Sequence, residues 1–260
     1  MKIGVCAKVT PDADARIKIA ANGTGIDPAG VKFVVSDYDG YAVEEAIRTK
    51  EAHGGEVVSF TVGAGSDDKL IRGGALAVGV DRAVLITGDD AEAAGTLGTA
   101  RLLAASIKEA ECDIVFTGKA TTDGGSAQVS SMVAELLGWP QVSQVTEFSM
   151  DGTTFTATRN MDGGVRQVVS GSLPVLITCE DGLNTPRYAK LMDIMKAKKK
   201  PMDKKAAGDM DVGGASIAAA STTGDLAPPA SRPAGQMIDG DAAQAAKELL
   251  RLLRDEAKVL

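Results

Sequence analysis

The chain has 260 residues, 44% hydrophobic and 24% charged, an ordinary globular mix that can bury a core without disulfides or metals. A net charge of −7 and 3% aromatics argue against a nucleic-acid surface, and no apolar run is long enough for a membrane span. Three scattered cysteines (Cys6, Cys112, Cys179) argue against a disulfide frame, a zinc site or a CxxC motif, and the single histidine, His53, removes most Ser-His and Cys-His schemes.

In chain order, Lys2–Ala7 reads as a buried strand that begins without a signal-peptide layout. Tyr41–His53 reads as a helix stopped by Gly54-Gly55, with His53 a favourable cation at its carboxyl end. Glu56–Val62 is a strand, Asp67–Val78 a helix and Arg82–Ile86 a strand, with Asp89-Asp90 in a solvated loop. Ala93–Ala110 is predicted as one helix with Ala93, Leu97, Ala100, Ala104 and Ile107 in its stripe, followed by strand Ile114–Gly118. The next helix has the clearest period, Val129, Met132, Val133, Leu136 and Leu137, closed by Gly138 and Pro140. Such alternation predicts a doubly wound α/β fold with a mostly parallel sheet. Val142–Met150, Thr153–Asn160 and Gly164–Gly171 are rich in Thr and Val and are separated by Asp-Gly turns, so an antiparallel hairpin extension is predicted over about 141–172. Leu173–Cys179 returns as a buried strand within a main domain of 1–182.

Beyond it the pattern weakens. Segment 183–202 is charged, with a short apolar series Leu191, Met192, Ile194 and Met195. Lys196–Lys205 holds six lysines in ten residues; a solvated tail, a docking patch and a nucleic-acid patch are all readings, and the apolar series favours docking. Residues 203–240 read as a linker or arm, and 241–260 as an amphipathic helix capped by Asp241, docked on its own domain or on a partner.

In an open parallel sheet, ligands bind beyond the carboxyl ends of strands where the winding reverses. The strongest candidate is Gly118–Gln128, small and hydroxyl-bearing, between a strand and the clearest helix. Unpaired N–H groups and the positive end of the helix dipole there suit a phosphate. The sequence is neither a Walker A loop nor a GxGxxG fingerprint. A turn capped by Asp123 or Ser126 explains the same residues equally well. No catalytic constellation stands out.

Leu183-Asn184-Thr185-Pro186-Arg187-Tyr188-Ala189-Lys190-Leu191-Met192-Asp193-Ile194-Met195-Lys196-Ala197-Lys198-Lys199-Lys200-Pro201 resembles the beta subunit of electron transfer flavoproteins. Supporting matches are Ala42-Val43-Glu44-Glu45-Ala46, Gly79-Val80-Asp81-Arg82, Gly118-Lys119 with Asp123 and Gln128, and Gly138-Trp139-Pro140. The resemblance implies a Rossmann-like, adenine-nucleotide-binding domain with a C-terminal arm, in a heterodimer with an alpha subunit. It implies a buried, non-redox AMP in this chain and an FAD held mainly by the alpha subunit and shared at the interface. Electrons would come from acyl-CoA or related dehydrogenases and leave to a quinone oxidoreductase, in the cytoplasm of a bacterium or the mitochondrial matrix of a eukaryote.

Carried onto this sequence, the AMP contacts are Ala7, Ser36, Asp37, Tyr38, Asp39, Val62, Ala120, Thr121, Thr122, Asp123, Gly124, Gly125, Ser126, Ala127, Gln128, Val129, Ser130 and Ser131. Partner recognition falls to Pro186, Arg187, Tyr188, Leu191, Ile194, Met195, Lys196, Lys198, Lys199 and Lys200, with Leu191 as anchor. Asp123–Val129 is also similar to the cradle of bifurcating relatives, which hold a second FAD in place of AMP. A stand-alone adenine-nucleotide sensor is the remaining alternative.

Overall fold

Buried on both faces, the strands of the central sheet are continuous apolar runs rather than alternating ones. The computed structural model describes residues 1–232 and 234–260, in two units, Met1–Gly224 and Asp225–Leu260. In the first unit the chain forms β1 (Lys2–Cys6), a small antiparallel pair β2 (Val9–Pro11) and β3 (Phe33–Val35), α1 (Asp37–His53) and β4 (Glu56–Val62). Helix α2 (Asp68–Ile71) continues through a π turn, Arg72–Leu76, and leads to β5 (Arg82–Thr87). Then come α3 (Asp89–Glu92), α4 (Thr96–Glu109), β6 (Ile114–Gly118) and α5 (Val129–Leu137). The remainder is β7 (Gln141–Asp151), β8 (Thr154–Asn160), β9 (Arg166–Ser172), β10 (Val175–Cys179), α6 (Leu191–Ala197) and β11 (Met202–Ala206).

The sheet runs β11-β5-β4-β1-β6-β10-β7-β8-β9, parallel from β11 to β7 and antiparallel thereafter. From β1 the chain winds outward to β4 and β5, then returns to lay β6 on the other side of β1. That reversal opens a crevice at the carboxyl ends of β1 and β6. Successive residues feed opposite cores. Ile3, Val5, Ile114, Phe116 and Ile177 pack under α1 and the π turn, while Phe60, Val115 and Leu176 pack under α4 and α5 with Leu102, Ile107 and Val133.

Several expectations need correction. The helix predicted over Ala93–Ala110 starts later, as α4 at Thr96 behind an extended Gly95, and Asp89-Asp90, predicted as a loop, opens the separate short helix α3. Of the predicted stripe, Ala100, Ala104 and Ile107 are buried, joined by Leu102 and Leu103, while Ala93 and Leu97 are exposed. Leu136, predicted in the stripe of α5, is also exposed. The hairpins form, but β7 is part of the main sheet through its parallel ladder with β10. It bulges between Val145 and Glu147, and Gln144 is left-handed at φ 59°. This bend brings Phe148 edge-on to Phe116 of β6, with ring centroids 5.3 Å apart. The linker predicted from residue 203 begins instead as sheet: β11 pairs with β5, and Ala218 bridges Ala94. The following chain lies so close on α4 that a Cβ at Gly98 would collide with the Ile217 carbonyl.

In the second unit α7 (Ala242–Arg251) starts at a complete capping box. Asp241 Oδ1 accepts from Gln244 N at 2.9 Å, and Gln244 Oε1 accepts from Asp241 N at 3.3 Å. Among the described residues of Asp225–Leu260, none is buried. Among the described residues of the whole chain, no helix is long and apolar enough to cross a membrane.

Candidate functional site

The crevice at the winding reversal is a cleft of about 520 Å³, within the size range of small-ligand sites. Ala7 and Lys8 enter it from the end of β1, Val62 and Gly63 from β4, and Gly118 to Thr121 from β6. Ser126 to Ser130 lead from it into α5. The floor is tied by one side chain. Asp39, in the first turn of α1, accepts from the backbone N–H of Lys8 at 2.8 Å and from that of Gly118 at 3.0 Å. It therefore pins the ends of β1 and β6 to each other. Burial pushes its carboxyl up from an ordinary 3.8 to about 7, against the pull of those two N–H groups. Gly118 is required here, because a Cβ would sit 2.6 Å from Asp39 Oδ1 and 2.8 Å from Tyr38 Cβ. On the other side, the hydroxyls of Thr117 and Ser130 meet at 2.8 Å and tie α5 back to β6.

Among the described residues, no side chain caps the amino end of α5. The capped-turn reading named Asp123 or Ser126 for that role. Asp123 is turned elsewhere: it accepts from Thr121 Oγ1 at 2.6 Å, from its neighbour Gly124 N at 2.6 Å and from Lys8 Nζ at 2.5 Å. Those bonds hold its carboxylate below the usual range despite partial burial. The helix start thus keeps its N–H donors for the cleft. Gly125 and Ala127 are both left-handed, with φ of 60° and 52°. For an alanine that conformation costs about 1 kcal/mol, and Ala127 lines the cleft.

Of the sequence-predicted contacts, Ala7, Asp39, Val62, Ala120, Thr121, Ser126, Ala127, Gln128, Val129 and Ser130 line the cleft. The rest stand behind or beside it. Ser36 is buried with its hydroxyl unpartnered, and its N–H donates to the Lys8 carbonyl. Tyr38 lies under the Lys119 ammonium, 4.8 Å from ring centroid, while Lys119 pairs with Glu180 at 2.6 Å. Thr122 meets Thr10 at 3.3 Å. Asp37, Gly124, Gly125 and Ser131 are exposed and off the cleft wall. Sequence reasoning missed the far wall, where Ala91, Glu92, Thr96 and Thr99 of α3 and α4 join Asp67 and Cys6. The signal was present: Gly95-Thr96-Leu97-Gly98-Thr99 is a second small, hydroxyl-bearing helix start. The Cys6 thiol is pushed well up by burial, and that of Cys112 to about 12, as expected of inert packing thiols.

The second candidate surface is the segment around α6. Tyr188, Leu191, Met192 and Met195 are 95%, 76%, 66% and 59% exposed, an apolar ridge next to exposed Lys196, Lys198 and Lys199. Pro186, another predicted recognition residue, is half-buried and lies near Gly40 of α1. Three other residues predicted for docking turn inward. Arg187 forks onto Glu44, with contacts of 2.8 and 2.9 Å, and onto Glu51, at 2.6 and 3.0 Å. Ile194 packs against the core. Lys200 donates to the carbonyls of Leu76 at 2.8 Å and Val80 at 2.6 Å. Lys204 and Lys205 are likewise paired, with Asp68 at 2.9 Å and Glu109 at 2.5 Å. The lysine run is therefore not one patch.

A doubly wound sheet with its cleft at the winding reversal, one helix start left open to it, defines the Rossmann-like class of α/β proteins. Comparison with known proteins narrows this. The family model described as "Electron transfer flavoprotein domain" matches residues 24–210. The chain is 38% identical to the electron transfer flavoprotein subunit beta of Bacillus subtilis (strain 168), over the whole of both chains. It is 35% identical to the mitochondrial beta subunit of Oryza sativa subsp. indica, again over both whole chains. With the Mus musculus beta subunit the identity is 36%, over 80% of this chain and 82% of the other. The chain belongs to the family of electron transfer flavoprotein beta subunits.

Proposed function

We propose that the chain pairs with an alpha subunit and carries electrons from acyl-CoA or related dehydrogenases to a quinone oxidoreductase, with AMP as a structural ligand in its own cleft. The observation that carries the AMP reading is the open amino end of α5, left free because Asp123 pairs with Lys8 instead of capping it. N–H donors around Ser126 to Ser130 would hold the phosphate. The small side chains Ala7 and Ala120 leave the backbone accessible to the adenosine, and Asp39 keeps the two strand ends at fixed spacing. Ligand burial there would favour the folded state by mass action.

The flavin, held mainly by the alpha subunit, supplies the redox chemistry when bound. This chain's contribution is to close one side of the flavin site and to present the α6 ridge to the donor. Leu191, the first residue of that helix, is the anchor, and Lys198 and Lys199 steer acidic surfaces toward it. Helix α7 offers a further apolar stripe to the alpha subunit.

The test is a nucleotide inventory of the purified assembly after denaturation. One FAD and one AMP per heterodimer is the expected result. Two FADs would move the chain to the bifurcating branch, which the similarity of Asp123–Val129 to that branch's cradle would then explain. A cleft without any adenine nucleotide would refute both.

A further inference from the structure

Helix α6 has seven residues, too few to hold itself in water. Yet it carries three of the large exposed apolar side chains of the first unit, Leu191, Met192 and Met195, so something outside it must fix its pose. At its carboxyl end, the carbonyls of Ala197, Lys198 and Lys200 all accept from Arg72 Nη1, at 3.1, 3.3 and 2.9 Å. Arg72 opens the π turn of α2. Leu76, in the last turn of that helix, and Val80, just beyond it, offer their carbonyls to Lys200 Nζ. At each carboxyl end, carbonyls in or just past the last turn are thus satisfied by a cation from the other segment. Arg187, forked on Glu44 and Glu51 of α1, holds the lead into α6. The segment is hung between two fixed points, with the exposed ridge between them.

We propose that Arg72 and Lys200 are positioning residues, a reciprocal clasp that locks α6 in one pose and so presents Leu191, Met192 and Met195 as a preformed docking ridge. Lys200 serves the ridge from behind rather than as one of its docking charges. Preorganisation of this kind lowers the ordering cost at the moment of association. The clasp rests on the docking reading of α6 for its purpose but not for its existence, and the experiment separates the two.

Hydrogen exchange is followed on the full assembled protein for Arg72→Gln, Lys200→Met and the double variant. Exchange across 188–199 should rise at least tenfold in each single variant, while β4 and α4 keep wild-type protection. The double variant should be no looser than the more disruptive single one, because a clasp broken at either side is broken. Arg72→Lys, which keeps the charge but loses the guanidinium, should recover part of the protection. With the donor dehydrogenase as reductant, Arg72→Gln should raise the apparent KM for the flavoprotein several-fold at unchanged kcat. Wild-type exchange across 188–199 in the single variants would overturn the clasp whatever happens to KM. Raised exchange with unmoved KM would uphold the clasp and remove α6 from docking. Should Arg72→Gln fail to fold, Lys200→Met carries both readouts alone.

Discussion

Replacing Asp39 by Asn should flatten a pH dependence that the wild type carries. In the folded chain this carboxyl is buried across the ends of β1 and β6 and binds its proton more tightly than an ordinary aspartate, with a pKa moved from 3.8 to about 7. Between those two values the folded state holds the proton that the unfolded state has released. Stability from this group is therefore fully present below about pH 4, falls as pH rises, and levels off above about pH 7. The interval is about three pH units at about 1.4 kcal/mol each, so the group accounts for roughly 4 kcal/mol at most. The carboxamide of the variant does not titrate. The assay is urea denaturation of wild type and variant from pH 4 to 8 at fixed nucleotide concentration, read as the difference between the two curves. That difference should move in favour of the variant by up to about 4 kcal/mol between pH 4 and 7 and stay level from 7 to 8. A flat difference, or one moving toward the wild type with rising pH, would refute the reasoning.

Three further outcomes are expected. Gly118→Ala should destabilise by about 1–3 kcal/mol through its collision with Asp39 and Tyr38, visible as a lowered Tm, and should reduce AMP retained on purification; a wild-type Tm would contradict the close approach. Leu191→Ala should leave stability within about 0.5 kcal/mol but weaken dehydrogenase docking by about 2 kcal/mol, measured as the concentration dependence of flavin reduction; unaltered reduction kinetics would remove Leu191 as anchor. Charge reversal at Lys198 and Lys199 should slow association at low salt and converge with wild type near 1 M, where the Debye length is about 3 Å. Stopped-flow rates insensitive to both salt and reversal would end the steering argument.

What could be read from the sequence follows where burial wrote a pattern. The strands Ile114–Gly118 and Val175–Cys179, buried at every position, and the helix over Val129–Leu137 with Gly138 behind it were legible because one environment acts on the whole element. Strand β11 was not, because it is an edge: Asp203, Lys204 and Ala206 face solvent, and an exposed strand looks like any polar loop. The later start of α4, at Thr96 rather than Ala93, was missed because alanine serves both helices and turns, so only the exposure of Ala93 and Leu97 records it. At the cleft, Gly118–Gln128 announced itself by composition, whereas the far wall of Glu92, Thr96 and Thr99 arrives through tertiary packing of α3 and α4. The internal roles of Arg187 and Lys200 were hidden for the same reason. A charge run shows its sign in the sequence but not its partners, which lie more than 100 residues away in the chain.

Lys204 and Lys205 lie on the last rung of the sheet, on β11, and their paired ammonium groups stand there as a charged border. An outermost strand of bare backbone is a template for zipping to another chain. Charged side chains on an edge strand disfavour the addition of a second sheet there. Two cations that by composition alone advertise for company serve to turn it away.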